Sequence, residues 1–320
     1  MGVSQAPISV VIVTHRADAL LEACVASVRA QSPAEVLVVV SNTRRELPGV
    51  RMLQLEANIG FARAANAGIA AVAGHVLLLN DDTWIHDGCI AALDAAIAAC
   101  TAPTLFQPRI LLADGSGLDN EGHGVFPDGF VWARGRGARD VELGGRPGGF
   151  SGAAVLFHRS AWDALGGFDP RFDSFGEDVD LSLRWMRRGG RIQAVPAARV
   201  SHHLGATYGR TSASKLYRIE RNRIRAAVRS LPVSALATLP ALTLARLGLF
   251  AGLALAGRGP GASVGRDARW AAARGLWDGT LDAPEWWSER HRDRAGWQRG
   301  EIAMWRAMWQ SRARWEDICR

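Results

Sequence analysis

The chain lacks both glycine fingerprints of the common nucleotide-binding folds: no G-x-G-x-x-G follows its first apolar run, and no G-x-x-x-x-G-K-[ST] occurs anywhere. Dinucleotide-dependent oxidoreductases and P-loop NTPases are therefore disfavoured. Cysteine is scarce, and Cys24, Cys89, Cys100 and Cys319 are too scattered for metal-ligand spacing or a disulfide framework. They read as reduced packing residues in a reducing compartment. The first apolar run, Ile8 to Val13, has no basic leader or small-residue cleavage site before it and meets polar His15 and Arg16 at once. A signal peptide is a poor reading of this start, and a cytoplasmic catalytic part is expected. Nor is the chain poor in core-forming residues: 48% are hydrophobic and 22% charged over 320 residues, which excludes disorder and predicts one large domain with an appendage.

Charge is not balanced. Thirty-eight basic residues against 31 acidic leave a formal +7, which suits an anionic partner: nucleic acid, lipid head groups or a diphosphate. The sign alone does not choose among them.

The richest stretch runs from Asn58 to Thr83 and ends in Val76-Leu77-Leu78-Leu79-Asn80-Asp81-Asp82-Thr83. An unalternating apolar run that stops at acids predicts a central strand covered on both faces, its C-terminal end opening to solvent. Ligands gather in the crevice outside such strand ends in open α/β sheets. Two adjacent carboxylates repel, so Asp81 and Asp82 imply a neutralising cation, with capping of the helix predicted over Gly88 to Ala99 as the alternative.

The opening hundred residues alternate strand and helix. Strands are predicted at 7–14, 36–40, 50–55 and 76–79, and helices at 17–31 and 61–72. This is the pattern of an α/β fold with a mostly parallel sheet flanked by helices. From 102 to 149 the pattern loosens into short strands and glycine-rich loops, as a variable insertion would. A strand resumes at 150–157, a short helix covers 159–165, and the acidic start of Glu177-Asp178-Val179-Asp180-Leu181 predicts a helix N-terminus. Short strands at 192–195 and 200–203 flank Pro196.

Three separated motifs carry a resemblance: Asn58-Ile59-Gly60-Phe61 with Asn66-Ala67-Gly68-Ile69; Asn80-Asp81-Asp82-Thr83; and Gly166-Gly167-Phe168-Asp169 through Glu177-Asp178-Val179-Asp180-Leu181 to His202. In order and spacing the chain resembles family 2 glycosyltransferases of GT-A fold, in their bacterial rhamnosyltransferase-like branch, over roughly residues 7 to 230. The resemblance implies a nucleotide-diphospho-sugar donor and a divalent metal, Mn²⁺ or Mg²⁺. It gives Asp82 the metal, with His202 as second ligand, His203 beside it complicating the assignment, and a structural strand-end histidine as the alternative. Asp178, with Glu177 second, takes the place of the base that accepts the acceptor hydroxyl's proton; both could instead simply complement a helix dipole. Asn58, Gly60 and Asn66 shape the donor turn, Asp81 supports the ribose or the metal's waters, and Thr14 and His15 lie where relatives hold the base. Arg63 faces either the diphosphate or solvent. Many relatives carry an acidic turn after the second strand; here Ser41-Asn42-Thr43 stands instead, leaving Asn42 to meet the base edge and the donor's identity open.

The tract from Arg210 to Arg229 is basic, and Leu231 to Gly257 is almost wholly apolar. This predicts a membrane-associating helical extension, 231–320, behind a catalytic domain, 1–230, peripheral on the inner face of the plasma membrane. Arg246 and Pro240 argue against a full span and for a helix lying in the interface or packed on the domain. The late tryptophans, Trp305 and Trp309 among them, suit either a bilayer interface, ordinary packing or a homo-oligomer contact. Few aromatics interleave the arginines, so nucleic acid is not the expected partner. The leading function is transfer of a sugar to a lipid-linked or cell-surface glycan; the alternative is a degenerate domain that binds nucleotide sugar or scaffolds a membrane complex.

Overall fold

The computed structural model describes residues 6–16, 18–41, 46–139, 143, 145–204, 212–257 and 263–311. Asn42, expected at the base edge, lies outside them.

The chain opens with β1 (Ile8–Thr14), α1 (Ala19–Arg29), β2 (Glu35–Ser41), β3 (Arg51–Leu55), α2 (Phe61–Ala70) and β4 (His75–Asn80). Asp18 starts α1 by accepting from the backbone N–H groups of Leu20 and Leu21. β1, β2, β3 and β4 pair in parallel in the order β3-β2-β1-β4. Both faces of β4 are covered as its unalternating sequence predicts: Leu77 and Leu79 enter one core cluster, Val76 and Leu78 the other.

Beyond β4 the sheet becomes mixed. After β5 (Thr83–Ile85) and α3 (Cys89–Ala98) come β6 (Thr104–Leu112), β7 (Leu118–Asn120), β8 (His123–Val125), β9 (Val131–Ala133) and β10 (Ala154–Phe157). Then follow α4 (Arg159–Leu165), α5 (Glu177–Arg187) and β11 (Arg191–His202). The nine-stranded sheet continues from β4 through β10, β6 and β11 to β5, with β7 on β6. β10 runs antiparallel to both β4 and β6, while β11 runs parallel to β6. The two short strands predicted around Pro196 are one strand. Its register against β6 shifts between Val195 and Arg199, and a bulge is where a sheet tolerates a proline that cannot donate.

Among the described residues after β11 come five helices: α6 (Ala213–Ser230), α7 (Val233–Leu255), α8 (Arg266–Leu281), α9 (Ala283–Asp293) and α10 (Glu301–Ser311). They pack onto the sheet-bearing half instead of trailing from it. Phe172, Val179, Leu183 and Met186 share a core cluster with Ala227, Trp286, Met304 and Met308. Polar ties reinforce it. Arg229 bridges Asp169, Asp180 and Asp293, and buried Trp286 has the Arg171 guanidinium 4.4 Å from its ring centroid.

α7 is long and apolar enough to cross a membrane by length and composition. Pro240 sits inside it without ending it. Its one charge, Arg246, is turned inward, where Nε donates to Asp128 at 2.8 Å and Nη1 to Glu220 at 3.0 Å, with the guanidinium 4.3 Å from the Phe130 centroid. Its outward side is apolar, with Leu244 70% and Leu255 92% exposed. Replacing Arg246 by Met leaves two buried carboxylates sharing Arg223 alone, so we expect a loss of about 3 kcal/mol in denaturant-measured stability. A loss below about 1 kcal/mol would show that these groups are not held as a buried network.

Candidate functional site

β4 delivers Asp81 and Asp82 to the edge where β1 also ends, and their fates differ. Asp81 is neutralised by the chain itself: Oδ1 takes Arg16 Nη2 at 2.7 Å and Oδ2 takes the Thr14 hydroxyl at 2.6 Å. Both oxygens are occupied, so Thr14 and Asp81 form a support, and Arg16 replaces the cation that the paired acids imply. Arg16 was missed in sequence because nothing in its neighbourhood marks which of many arginines will meet a particular carboxylate. Neither acid caps the following helix, whose N-cap, Gly88, has no side-chain cap bond.

Asp82 keeps a free oxygen. Its Oδ1 is shut off from solvent without a hydrogen-bond partner. The nearest group is His202 Nε2, 3.4 Å away. The other imidazole nitrogen, Nδ1, is 2.8 Å from Asp119 Oδ2, and Asp119 Oδ1 is 2.7 Å from Arg136. Asp119 thus fixes the ring so that Nε2 faces Asp82, the arrangement by which carboxylates orient metal-binding histidines. β5 makes the pairing possible: Thr83 lies opposite His202 in the sheet, and the Asp82 carbonyl accepts from His203 N at 2.9 Å. His203 packs its ring on Trp84 instead, so its neighbour is the one that faces the acids.

Burial alone would depress the His202 pKa, but the carboxylates of Asp119 and Asp82 on either side of the ring outweigh it and push it up to about 9. Asp119 responds in the opposite sense. Burial raises its pKa, while His202 and Arg136 bring it below the usual carboxylate range. The donor set fits a hard divalent cation: a carboxylate oxygen lacking a partner and an imidazole nitrogen lie within the span that two ligands at about 2.1 Å share. Among the described residues no group of three or more His, Cys, Asp or Glu side chains is placed to hold a metal. Two side chains leave the remaining positions to a substrate's oxygens and water, as such cations accept.

The second half of the site is the start of α5. Gly176, at φ +97°, turns the chain so that Glu177 and Asp178 open the helix. Asp178 is half-buried. Its Oδ2 accepts from Gly152 N at 3.2 Å and its Oδ1 from Val179 N at 2.8 Å. Glu177 is buried with Oε2 unpartnered, and burial, followed by the charge of Asp178, raises its pKa well above the ordinary glutamate value. The loop 151–153 ties the two halves together, since Ala153 O accepts from Asn80 N at 3.0 Å, next to Asp81. His123 completes the link. Its Nδ1 is buried and unpartnered, and its protonation feels Asp178 and Asp119 after burial itself, which dominates and lowers its pKa. Asp119, His123 and Arg136 all come from the loose stretch after β6. No motif marked them.

The donor-turn residues behave differently from expectation. Asn66 engages both ends of its amide with the Phe168 backbone, donating to O at 2.8 Å and accepting from N at 3.0 Å, so it pins the Gly-Gly-Phe-Asp turn. Gly60, at φ +84°, is required because a Cβ there would lie 2.0 Å from Asp173 Oδ1, so the close approach is by the chain itself. Asn58 Oδ1 accepts from Gly60 N at 3.1 Å, a local turn bond. Arg63 lies on an exposed helix face with Nη1 3.4 Å from Ile59 O. His15 is exposed at the end of β1.

Residues 75–245 match the sequence profile of glycosyl transferase family group 2. The chain belongs to that family. Over 195 residues it is 32% identical to the N-acetylglucosaminyl-diphospho-decaprenol L-rhamnosyltransferase of Mycobacterium tuberculosis, a match spanning 53% of this chain and 64% of that protein. This family 2 chain also shares its fold with solved structures. One is GalNAc-T7 with UDP, GalNAc and Mn²⁺, at TM-score 0.56 and 19% identity, covering 71% of this chain and 48% of that one. Another is the mannosyltransferase PcManGT from Pyrobaculum calidifontis with GDP-Man and Mn²⁺, at TM-score 0.52 and 15% identity, covering 92% and 86%. The fold is therefore GT-A.

Asp119→Asn tests the geometry independently of any reaction. The His202 imidazole should titrate, by NMR in chelator, well below the value of about 9 it has beside both acids. Mn²⁺ affinity should fall by about 10- to 100-fold. An unmoved titration would mean that Asp119 does not hold the ring.

Proposed function

We propose that this family 2 chain is a metal-assisted, inverting glycosyltransferase. It would move a sugar, rhamnose first, from a nucleoside-diphosphate donor to a lipid-linked or cell-surface glycan. The observation that carries the proposal is the partnerless Asp82 oxygen facing His202, one loop away from the Glu177–Asp178 pair. The rhamnose preference and the lipid-linked acceptor rest on the relative's name, Mn²⁺ on the solved relatives that hold it, and Mg²⁺ as its alternative on the hard donor set.

A divalent cation held by Asp82 and His202 would offset the negative charge that builds on the leaving diphosphate. The chain's own groups do the rest. Asp119 and Arg136 hold His202 in place, and Arg16 keeps Asp81 from repelling the diphosphate. Asp178, anchored by Gly152 N yet still reachable, takes the acceptor hydroxyl's proton as the new C–O bond forms and the bond from the anomeric carbon to the diphosphate breaks. Glu177, kept protonated by its burial, spares Asp178 a neighbouring negative charge. Residues 1–230 supply these groups, and the outward apolar side of α7 supports attachment of 231–320 to the cytoplasmic face of the membrane as a peripheral protein.

The test is nucleoside-diphosphate release from a panel of sugar donors with Mn²⁺ or Mg²⁺. Chelator should abolish release, and Asp178→Asn should cost about 10²- to 10⁴-fold in transfer with donor binding retained. A chain that binds donors but never releases diphosphate would be a nucleotide-sugar-binding scaffold. The pH profile follows from Glu177. Because burial and the charge of Asp178 raise its folded-state pKa, Glu177 keeps its proton above the pH at which an ordinary glutamate loses it, and its ionised form then sits against Asp178. Glu177→Gln removes that titration, so the alkaline side of the transfer profile should flatten. An unchanged profile would mean that the Glu177 proton has no influence on Asp178.

A further inference from the structure

α5 carries its acids to the candidate active site and its last residue, Arg187, to a different place. Arg187, Arg290, Arg294 and Arg299, with Trp287 and Trp297, line a cavity of about 390 Å³ between the end of α5 and the turn after α9. That volume is in the range of small-ligand sites. The walls are preorganised. The Arg187 and Arg290 guanidiniums lie 4.2 and 4.8 Å from the centroid of the same Trp297 ring, and some of their donors are fixed on the Ser230, Arg299, Val228 and Leu231 carbonyls.

Charge is in excess there. The one carboxylate of the lining, Glu301, is divided between Arg187 Nη2 at 3.2 Å, Arg290 Nη2 at 3.6 Å and the Val233 backbone N–H at 2.6 Å. Arg299 donates to the Met186 and Gly189 carbonyls, and among the described residues no carboxylate pairs with Arg294. Burial first, and then the repulsion of Arg187, brings the Arg290 pKa down to about 10, as expected where cations crowd without matching anions.

We propose that this cavity is a phosphate site that takes the head group of an anionic phospholipid. Planar guanidiniums held at fixed positions suit phosphate oxygens. The lipid source, over a free phosphate, follows from where the cavity opens. Val233, the first residue of α7, is part of its lining and is 50% exposed, and Trp287 at its side is 40% exposed. From Val233 the outward side of α7 runs on through Leu244 and Leu255 without a charge, Arg246 being turned into the protein. A cationic hollow at the head of an apolar helix matches a phospholipid, whose phosphate stands above its chains.

This deepens the membrane attachment proposed above, and its test needs no transfer activity. The full chain is sedimented with vesicles of mixed phosphatidylglycerol and phosphatidylcholine and with vesicles of phosphatidylcholine alone, and tryptophan fluorescence is titrated with inorganic phosphate. Arg294 is exposed, so Arg294→Glu should keep the wild-type melting curve, with Arg294→Gln as the milder variant. The expected result is retention on the anionic vesicles that weakens about tenfold in Arg294→Glu and less in Arg294→Gln. Equal retention on both vesicle types, untouched by either variant, would overturn the cavity's role while leaving α7 as the attachment. No retention of the wild type would overturn the attachment as well. Saturable fluorescence change with inorganic phosphate and no preference for anionic vesicles would overturn the lipid assignment.

Discussion

The structure depends on how buried carboxylates are neutralised. A buried charge costs several kcal/mol unless it is paired, so the chain has to supply a partner for each acid it takes inside. It does so nearly everywhere: Arg16 for Asp81, Arg109 for Glu121, Arg184 and Arg229 for Asp180, and Arg223 with Arg246 for Glu220 and Asp128. Two places stand apart. Asp82 has only an imidazole for company, and Glu177 has no cation among the described residues. In a chain so well supplied with arginines, these are the acids on which the proposed metal and acceptor sites rest.

α5 transmits this constraint across the molecule. Its first turn presents Glu177 and Asp178 to the loop that meets β4, its middle is clamped by the Asp180–Arg184–Arg229 network, and its last residue enters the arginine cavity. The helix is buried along most of its length, so its position is set by the catalytic sheet on one side and by α6, α9 and α10 on the other. The C-terminal helices consequently act as the wall against which α5, with its acidic first turn, is held, and Trp286, surrounded by Arg171, Arg225 and Arg229, is the centre of that wall.

Much of the framework was legible in the residues. Strand β4 and the helix starting at Glu177 follow from local pattern: an unalternating apolar run and an acidic first turn depend on neighbours within a few positions. The GT-A fold and the family followed from motif order. The partners of the motif residues did not. Asn66 reads as a ligand-facing amide until Phe168, far along the chain, is seen to occupy it, and Gly60 reads as room for a donor until Asp173 fills that room. Arg246 shows the same limit in hydropathy, which counts a charge on a helix without knowing which way it points.

What the sequence by itself determined was the inventory and its order: apolar runs that must be buried on both faces, acids placed at strand and helix ends, and motifs spaced as in family 2. Tertiary structure alone decided which acid keeps a free oxygen. Asp81 and Asp82 are adjacent and chemically identical, and they part company because successive side chains leave the end of a strand in different directions. One meets Arg16 from the neighbouring strand's end; the other meets a histidine brought from far down the chain by β11 and held there by Asp119.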